Sequence, residues 1–430
     1  MVRKCTCGAA AAARSVVGVS TPSVRSVLDD ELPTWMQVVR TAMLSPAPTP
    51  EQVDAYRPDD GPERSLGAFD AGGALCGTAR SFATELTVPG GVVPAGAVTA
   101  VGVLPTHRRQ GHLTRLMRAQ LTQMAERGEA AAVLIAAEYP IYGRFGYGLA
   151  AEACMVDIEA SSPAGWRDAP TGTVRLVGTD EAVALVGELY DRARLRSAGH
   201  ITYAKDLWPI ATGAKPWPDG DDEKRRNAWK VVWSDDDGQV QGAAIYTVDD
   251  RWEQNRPAGT LQATHMVTAT DEAQRELARY MTTVDWVTRV RLHLRPVDDP
   301  TPLWLHDGRR ANLVDRSDHL WARVLDVPAA LTARTYGFSG RLVLEVDDPF
   351  GFAAGRFALD ASPSGASCVP TTDSPDLALP VGALSAAYLG GLTVSRLAAA
   401  GSVDERTPGA VAAATALFTA PRAPWCAMTF

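Results

Sequence analysis

A chain of 430 residues is too long for one ordinary core, so it divides into two to four domains. Its hydrophobic fraction of 46% supports folded cores and excludes wholesale disorder. The formal net charge of −8 argues against nucleic acid as the main partner and suits a cationic substrate.

The first nineteen residues, M-V-R-K-C-T-C-G-A-A-A-A-A-R-S-V-V-G-V, have the outline of a secretory leader. Arg14 interrupts the apolar stretch and A-R-S-V-V is a poor cleavage site, so residues 1–22 are read as a disordered extension. Cys5, Cys7, Cys76, Cys154, Cys368 and Cys426 show no disulfide framework, and the Cys5–Cys7 pair lacks a second pair to hold zinc. A reducing cytoplasm fits this usage. No run reaches about eighteen apolar residues, so no membrane span is expected.

Residues 23–45 are expected to form a helix, with Asp29, Asp30 and Glu31 near its start and Trp35, Val38 and Val39 along it. Strand patterns follow at 66–69, 75–82 and 83–88, separated by turns. A strand at 97–104, a helix at 107–126 and a strand at 131–137 make a β-α-β run. Residues 138–148, E-Y-P-I-Y-G-R-F-G-Y-G, hold three glycines within six residues, which precludes a stable helix.

The β-α-β run contains V-T-A-V-G-V-L-P-T-H-R-R-Q-G-H-L-T-R-L, residues 98–116. The first turn of a helix carries N–H groups without intrahelical partners, and they and the helix dipole favour an anion. Gly111 has no side chain, so a pyrophosphate can approach the backbone there. Arg108 and Arg109 add positive charge with bidentate geometry. A plainer reading makes Thr106 the cap of an amphipathic helix, with Leu113, Leu116 and Leu121 on its buried face. The strand before the turn and the helix after it favour the anion site. This pattern resembles motif A of the GNAT superfamily of N-acetyltransferases, although Leu113 stands where many members carry Gly or Ala.

A second unit is expected from about residue 171, with a helix at 180–195, an exposed loop at 211–227 and strands at 229–233 and 242–248. Residues 264–280 align without gaps on 100–116, with Thr270 in the place of Thr106. Glu272 then replaces Arg108, Ala273 replaces Arg109, and Arg275 replaces Gly111. A carboxylate there repels an anion and an Arg obstructs the backbone. The alignment implies a second copy of the fold that no longer binds the ligand; a chance match of two strand–helix–strand patterns is the alternative. A third unit spans 315–430. It opens on a strand running into a helix after Pro328, followed by strands at 341–346, 355–359 and 366–370 and helices at 381–389 and 410–418. The chain closes on W-C-A-M-T-F, apolar to Phe430, which reads as an ordered, docked segment.

The whole order resembles the Eis-type (enhanced intracellular survival) N-acetyltransferases over residues 23–430. The pieces that carry the resemblance are P-T-H-R-R-Q-G at 105–111, I-Y-G-R-F-G-Y-G at 141–148, L-W-A-R-V-L-D-V-P-A-A-L at 320–331, and Phe430. It implies an α+β fold: a catalytic GNAT domain at 23–170, a degenerate GNAT-like domain at 171–314, and a sterol-carrier-protein-like domain at 315–430. It implies acetyl-CoA as donor, no metal, an amine acceptor, and homo-hexamers of two stacked trimers. By the same resemblance Val101, Gly102 and Val103 pair with the pantetheine arm. Arg109, Gln110, Gly111, His112, Leu113 and Thr114 hold the pyrophosphate, with Arg108 beside them. Ala137 and Glu138 line the far side of the thioester, Ala137 standing where the family often has Ser. Tyr142 is the general acid and the carboxylate of Phe430 the general base.

The chemistry agrees with these roles. The nucleophile must be a neutral amine, and a Lys-like amine of pKa about 10.4 is almost wholly charged at pH 7. A base must remove the proton; a free α-carboxylate at about 3.5 is weak, and burial raises it. The departing thiolate needs a proton or hydrogen bond, which a phenol can supply. A strand N–H at Val101 or Val103 could meet the developing oxyanion.

Each residue also has a structural reading. Tyr142 could pack beside Phe145 and Tyr147, Phe430 could fill an apolar groove, and Glu138 could pair with an arginine. His107 and His112 lack a third ligand for a metal and are expected to face solvent. The acceptor is expected to be a small cationic amine such as an aminoglycoside or polyamine. Thr429 stands where aminoglycoside-modifying relatives often place an acid. A protein-lysine acetyltransferase, or a non-catalytic lipid or small-molecule binder working through the third domain, are the alternatives.

Overall fold

The computed structural model describes residues 22–57, 61–160, 165–202, 207–215, 223 and 226–430. The expected N-terminal extension, and much of the loop expected at 211–227, lie outside them.

One twelve-stranded sheet joins the first two units. The first contributes β1 (Ser23–Ser26), β2 (Ser65–Phe69), β3 (Leu75–Val88), β4 (Gly91–Val103), β5 (Ala131–Ile135) and β6 (Gly148–Glu159). The second contributes β7 (Thr173–Leu176), β8 (Trp229–Ser234), β9 (Val240–Asp249), β12 (Gly259–Thr268), β13 (Val287–Arg295) and β14 (Ala311–Val324). A small ribbon, β10 (Trp252–Glu253) with β11 (Arg256–Pro257), stands apart. The spatial order is β1-β2-β3-β4-β5-β14-β6-β13-β12-β9-β8-β7. It reads alike from either end. Each unit gives its last strand to the other: β14 pairs with β5, and β6 with β13. In each unit the parallel pair, β4–β5 or β12–β13, is bridged by a helix on one face.

Several expected boundaries move. Residues 23–26 are a strand paired with β2 rather than helix. The helix α1 (Leu32–Ala42) starts late because Pro33 supplies a preset φ in its first turn. The strand β3 is continuous, since Phe82 and Ala83 both pair with β4 and no turn separates them. After the short α2 (Pro50–Ala55), α3 runs over His112–Glu126 and not from 107. Arg109 and Gly111 hold φ of 63° and 80°, outside helical space. The boundary expected at 314/315 falls inside β14.

The second unit carries α4 (Thr179–Ala193), the short α5 (Leu207–Ala211) and α6 (Asp271–Thr282). The third unit follows β14 with α7 (Val327–Thr332) and a second sheet, β15 (Gly340–Asp347), β16 (Gly355–Ser362), β17 (Gly365–Pro370), β18 (Leu377–Pro380) and β19 (Asp404–Glu405). Its order is β17-β16-β15-β18-β19, with α8 (Val381–Ala387), α9 (Val394–Ala399) and α10 (Ala410–Phe418). Helix α8 lies directly on β6: a Cβ on Gly148 would stand 2.6 Å from the Ala386 backbone nitrogen. Arg323 of β14 and Asp348, both with fully buried side chains, form an ion pair in which Arg323 Nη2 donates to both carboxylate oxygens, at 2.8 and 2.7 Å. Such a pair costs much desolvation and contributes mainly by fixing one geometry. Here it locks the third unit to the seam between the first two.

Candidate active site

The site begins where β4 leaves β5. Their parallel pairing runs from Ala95↔Ala131 to Val98↔Leu134, while β4 continues to Val103. Ala100 has φ 52°, and the β3–β4 register shifts between Thr78 and Arg80, so two β4 residues oppose one on β3. A bulge of this kind bends its strand. Thr78 Oγ1 donates to the Ala100 carbonyl at 2.9 Å and holds the bend. Val101, Gly102 and Val103, all partly buried, lie past it and line the opened gap.

The turn that follows is braced rather than loose. Leu104 N donates to Cys76 O at 2.9 Å and His107 N to Leu104 O at 2.8 Å. Gly111 caps α3 in the left-handed region, with no side chain bonded to the helix end. The nearest atom to an added Cβ there is Arg115 Nη1 at 3.4 Å, so the approach to the first N–H groups is open. Arg108, Arg109, Gln110 and Gly111 are exposed, as is Thr114, while Leu113 is half-buried. An open helix start flanked by two guanidiniums favours an anion, and these residues fit a pyrophosphate.

His112 does not face solvent as expected. It is 3% exposed and lies 3.5 Å from the Cys76 thiol. Burial first, then Arg115, lowers its pKa, so it is neutral and adds no charge to the helix start. Arg115 Nη2 contacts its Nδ1 and donates to Gln110 O, both at 3.2 Å. His107 is half-buried, 3.4 Å from Asp70. No group of three metal-ligating side chains occurs among the described residues.

Beyond β5, Ala137 and Glu138 are exposed. Tyr142 is 7% exposed, its ring edge-on to Tyr147 at 5.9 Å. Its carbonyl accepts from Phe145 N at 2.9 Å, and Arg323 Nε donates to Phe145 O at 3.3 Å, fixing the turn from behind. Burial, then the Glu138 charge, raises the Tyr142 pKa, so the phenol keeps its proton at neutral pH. Tyr142 belongs to the apolar cluster that holds Val98 and Leu134. The half-buried Phe430 sets its ring edge-on to Phe82 at 5.8 Å, and Phe82 pairs across the sheet with Ala97, itself paired with Val133. Successive strand residues point to opposite faces. Tyr142 and Phe430 therefore approach the diverging β4–β5 pair from opposite faces, a proton donor on one and a carboxylate-bearing residue on the other.

The second unit has a shorter strand-to-helix connection that the ungapped alignment does not describe. The last parallel pair of β12–β13 is Ala263↔Leu292, the counterpart of Val98↔Leu134, and each first strand runs five residues further. From β4 to α3 the chain then uses eight residues, 104–111; from β12 to α6 it uses two, Ala269 and Thr270. Glu272, Ala273 and Arg275 are helix residues and replace nothing in a loop. Thr270 Oγ1 caps the helix by accepting from Ala273 N at 3.0 Å. Sequence reasoning missed Arg323, Trp425 and Arg422, whose partners lie far away along the chain.

The comparisons agree with this architecture. Family models described as acetyltransferase (GNAT) domain match residues 23–150 and 204–324, and one described as sterol carrier protein domain matches 327–427. The chain is 40% identical over 415 residues to an uncharacterized N-acetyltransferase of Streptomyces griseus subsp. griseus, covering 95% of this chain and 99% of that one. It is 33% identical over 394 residues to the N-acetyltransferase Eis of Mycobacterium tuberculosis, covering 88% and 92%. The crystal structure of Eis1 from Mycobacterium abscessus superposes with a TM-score of 0.83 at 34% identity, covering 95% of this chain and 100% of that one.

Proposed function

The chain belongs to the Eis-type N-acetyltransferases of the GNAT superfamily, and from that premise we propose that it acetylates a small cationic amine, such as an aminoglycoside or a polyamine. The observation that carries the reading is the open, glycine-capped start of α3 beside the bent end of β4, a feature the second unit lacks. When bound, acetyl-CoA supplies an acetyl group activated as a thioester. Arg108, Arg109 and the N–H groups after Gly111 hold its phosphates. The edge of Val101–Val103 orients the arm and offers an N–H to the developing oxyanion. Ala137 provides no hydroxyl on the far side, and Glu138 brings negative charge that attracts an ammonium. The Phe430 carboxylate takes the ammonium proton, and Tyr142 Oη presents its own proton to the departing sulfur.

The same reading carries a homo-hexamer of two trimers and a cytoplasmic setting, the latter supported by the free thiols at Cys76, Cys154, Cys368 and Cys426. A screen of amines with acetyl-CoA, read by thiol release, tests the substrate class. Turnover with aminoglycosides or polyamines is expected; turnover confined to lysine peptides would refute it.

A further inference from the structure

The second unit keeps the fold without the long strand-to-helix turn, and its helix start is already filled from within. Asp271 is the first residue of α6. Its carboxylate accepts from Arg422 at 3.0 and 2.7 Å and from Arg196 at 2.7 Å. Arg422 belongs to the last segment of the chain. These groups are half-exposed, so the pair alone contributes little.

The firmer contact is three residues on. Trp425 N donates to Ala198 O at 2.7 Å and its Nε1 to Leu294 O at 2.6 Å. Its ring meets His200 edge-on at 4.6 Å, and the Arg295 guanidinium lies 4.8 Å from its centre. The slot is built in advance. Arg295 pairs with Asp299 at 2.8 Å, both essentially inaccessible, and Asp299 also accepts from Gln274 at 2.9 Å and from Thr301 Oγ1 at 2.6 Å. Gly199, at φ 100°, forms one wall: a Cβ there would come within 2.9 Å of the Trp425 carbonyl. Every one of these groups belongs to the second unit. Past Trp425 the chain buries Cys426, and Met428 O accepts from His319 of β14 at 2.9 Å before Phe430 reaches Phe82.

We infer that Trp425 is a positioning residue for the Phe430 carboxylate, and that the degenerate unit acts as the anchor that delivers it to the first unit's site. The inference rests on the reading of Phe430 as the base. Four residues lie between anchor and base, a span of at most about 18 Å from Trp425 to Phe430. The contacts of Cys426 and Met428 hold the run that Trp425 starts, so loosening its start shifts Phe430. A displacement of about 1 Å in a positioned group can cost about a hundredfold.

Trp425→Ala should lower kcat by about a hundredfold, leave acetyl-CoA affinity within about twofold, and speed hydrogen exchange of the amides at 426–430. Trp425→Phe keeps an aromatic ring in the slot while losing the bond to Leu294 O and part of the indole's contact with His200 and Arg295. It carries the same test if the Ala variant does not fold, with an expected loss of about tenfold. Exchange at the native rate, or a loosened segment with unchanged kcat, overturns the inference. One glycine added after Phe430 separates the two ideas. If that extension lowers kcat and Trp425→Ala does not, the anchor fails and the base stands. If neither lowers it, the reading of Phe430 fails.

Discussion

Replacing Tyr142 by Phe removes a single oxygen. The ring would keep its place against Tyr147 and Phe145, and among the described residues no protein group is hydrogen-bonded to Oη. No buried partner is left unsatisfied, so stability should change by less than about 1 kcal/mol. The catalytic effect is larger. Burial and the Glu138 charge raise the phenol pKa above 10, so more than about 99.9% of it is protonated at pH 7. A thiol leaves with a pKa of about 8.5, so complete transfer from the phenol is uphill by at least about 2 kcal/mol. The phenol thus contributes mainly a hydrogen bond to the developing thiolate. Positioned acids are worth about 10²–10⁴-fold, and this reasoning sets Tyr142 near the lower end, about 10² or 2.7 kcal/mol. Saturating turnover by thiol release, with acetyl-CoA affinity by calorimetry, measures both sides of the claim. A kcat within about threefold of the native chain, with unchanged affinity, would return Tyr142 to a packing role.

Gly111→Glu should abolish acetyl-CoA binding, and the native chain should bind one equivalent; two equivalents by calorimetry would refute a single binding site in the first unit. Extending the chain by one glycine after Phe430 moves the carboxylate by up to about 3.5 Å and should leave folding and acetyl-CoA binding intact while acetyl transfer falls about a hundredfold or more; equal rates would rule Phe430 out as the base. The buried His200 has its pKa pushed down to about 3 by burial, from an ordinary 6.5 when unfolded. Its neutral form is what the fold accommodates, so this contribution is complete above pH 6.5 and is lost as pH falls toward 3. Urea unfolding between pH 7 and 4 should show stability falling with acid, and His200→Phe should flatten that slope; an identical slope would exclude His200 as its source.

The β4–α3 turn was legible because its signals are local: a strand, Pro105, two arginines and Gly111 within a dozen residues. The ordered final segment was legible from its apolar run to Phe430, whereas roles for Tyr142 and Phe430 came only through resemblance, since an isolated aromatic carries no role of its own. His112 was misread because it opens α3 against Cys76 of β3, a neighbour 36 residues away. The repeat was found and its register mistaken for a similar reason. Helical periodicity tolerates an ungapped match, while the deleted loop shows only once β12–β13 pairing fixes where the strand ends. The placement of β14 between β5 and β6 leaves no trace in the order of elements, because strand exchange changes neighbours and not sequence pattern.

That exchange has a consequence for how the molecule comes into being. On the ribosome, β5 emerges long before β14, the strand that covers its free side. Until residue 295 is out β6 has no β13 beside it, and until residue 324 is out the nascent first unit keeps an uncovered edge of apolar residues, Ala131–Ile135. Pairing across such sequence separations is slow, and exposed edges invite aggregation. A fragment cut after residue 150 would carry the whole β4–α3 turn and still present that raw edge. Excising a smaller transferase would therefore require donating a strand in place of β14.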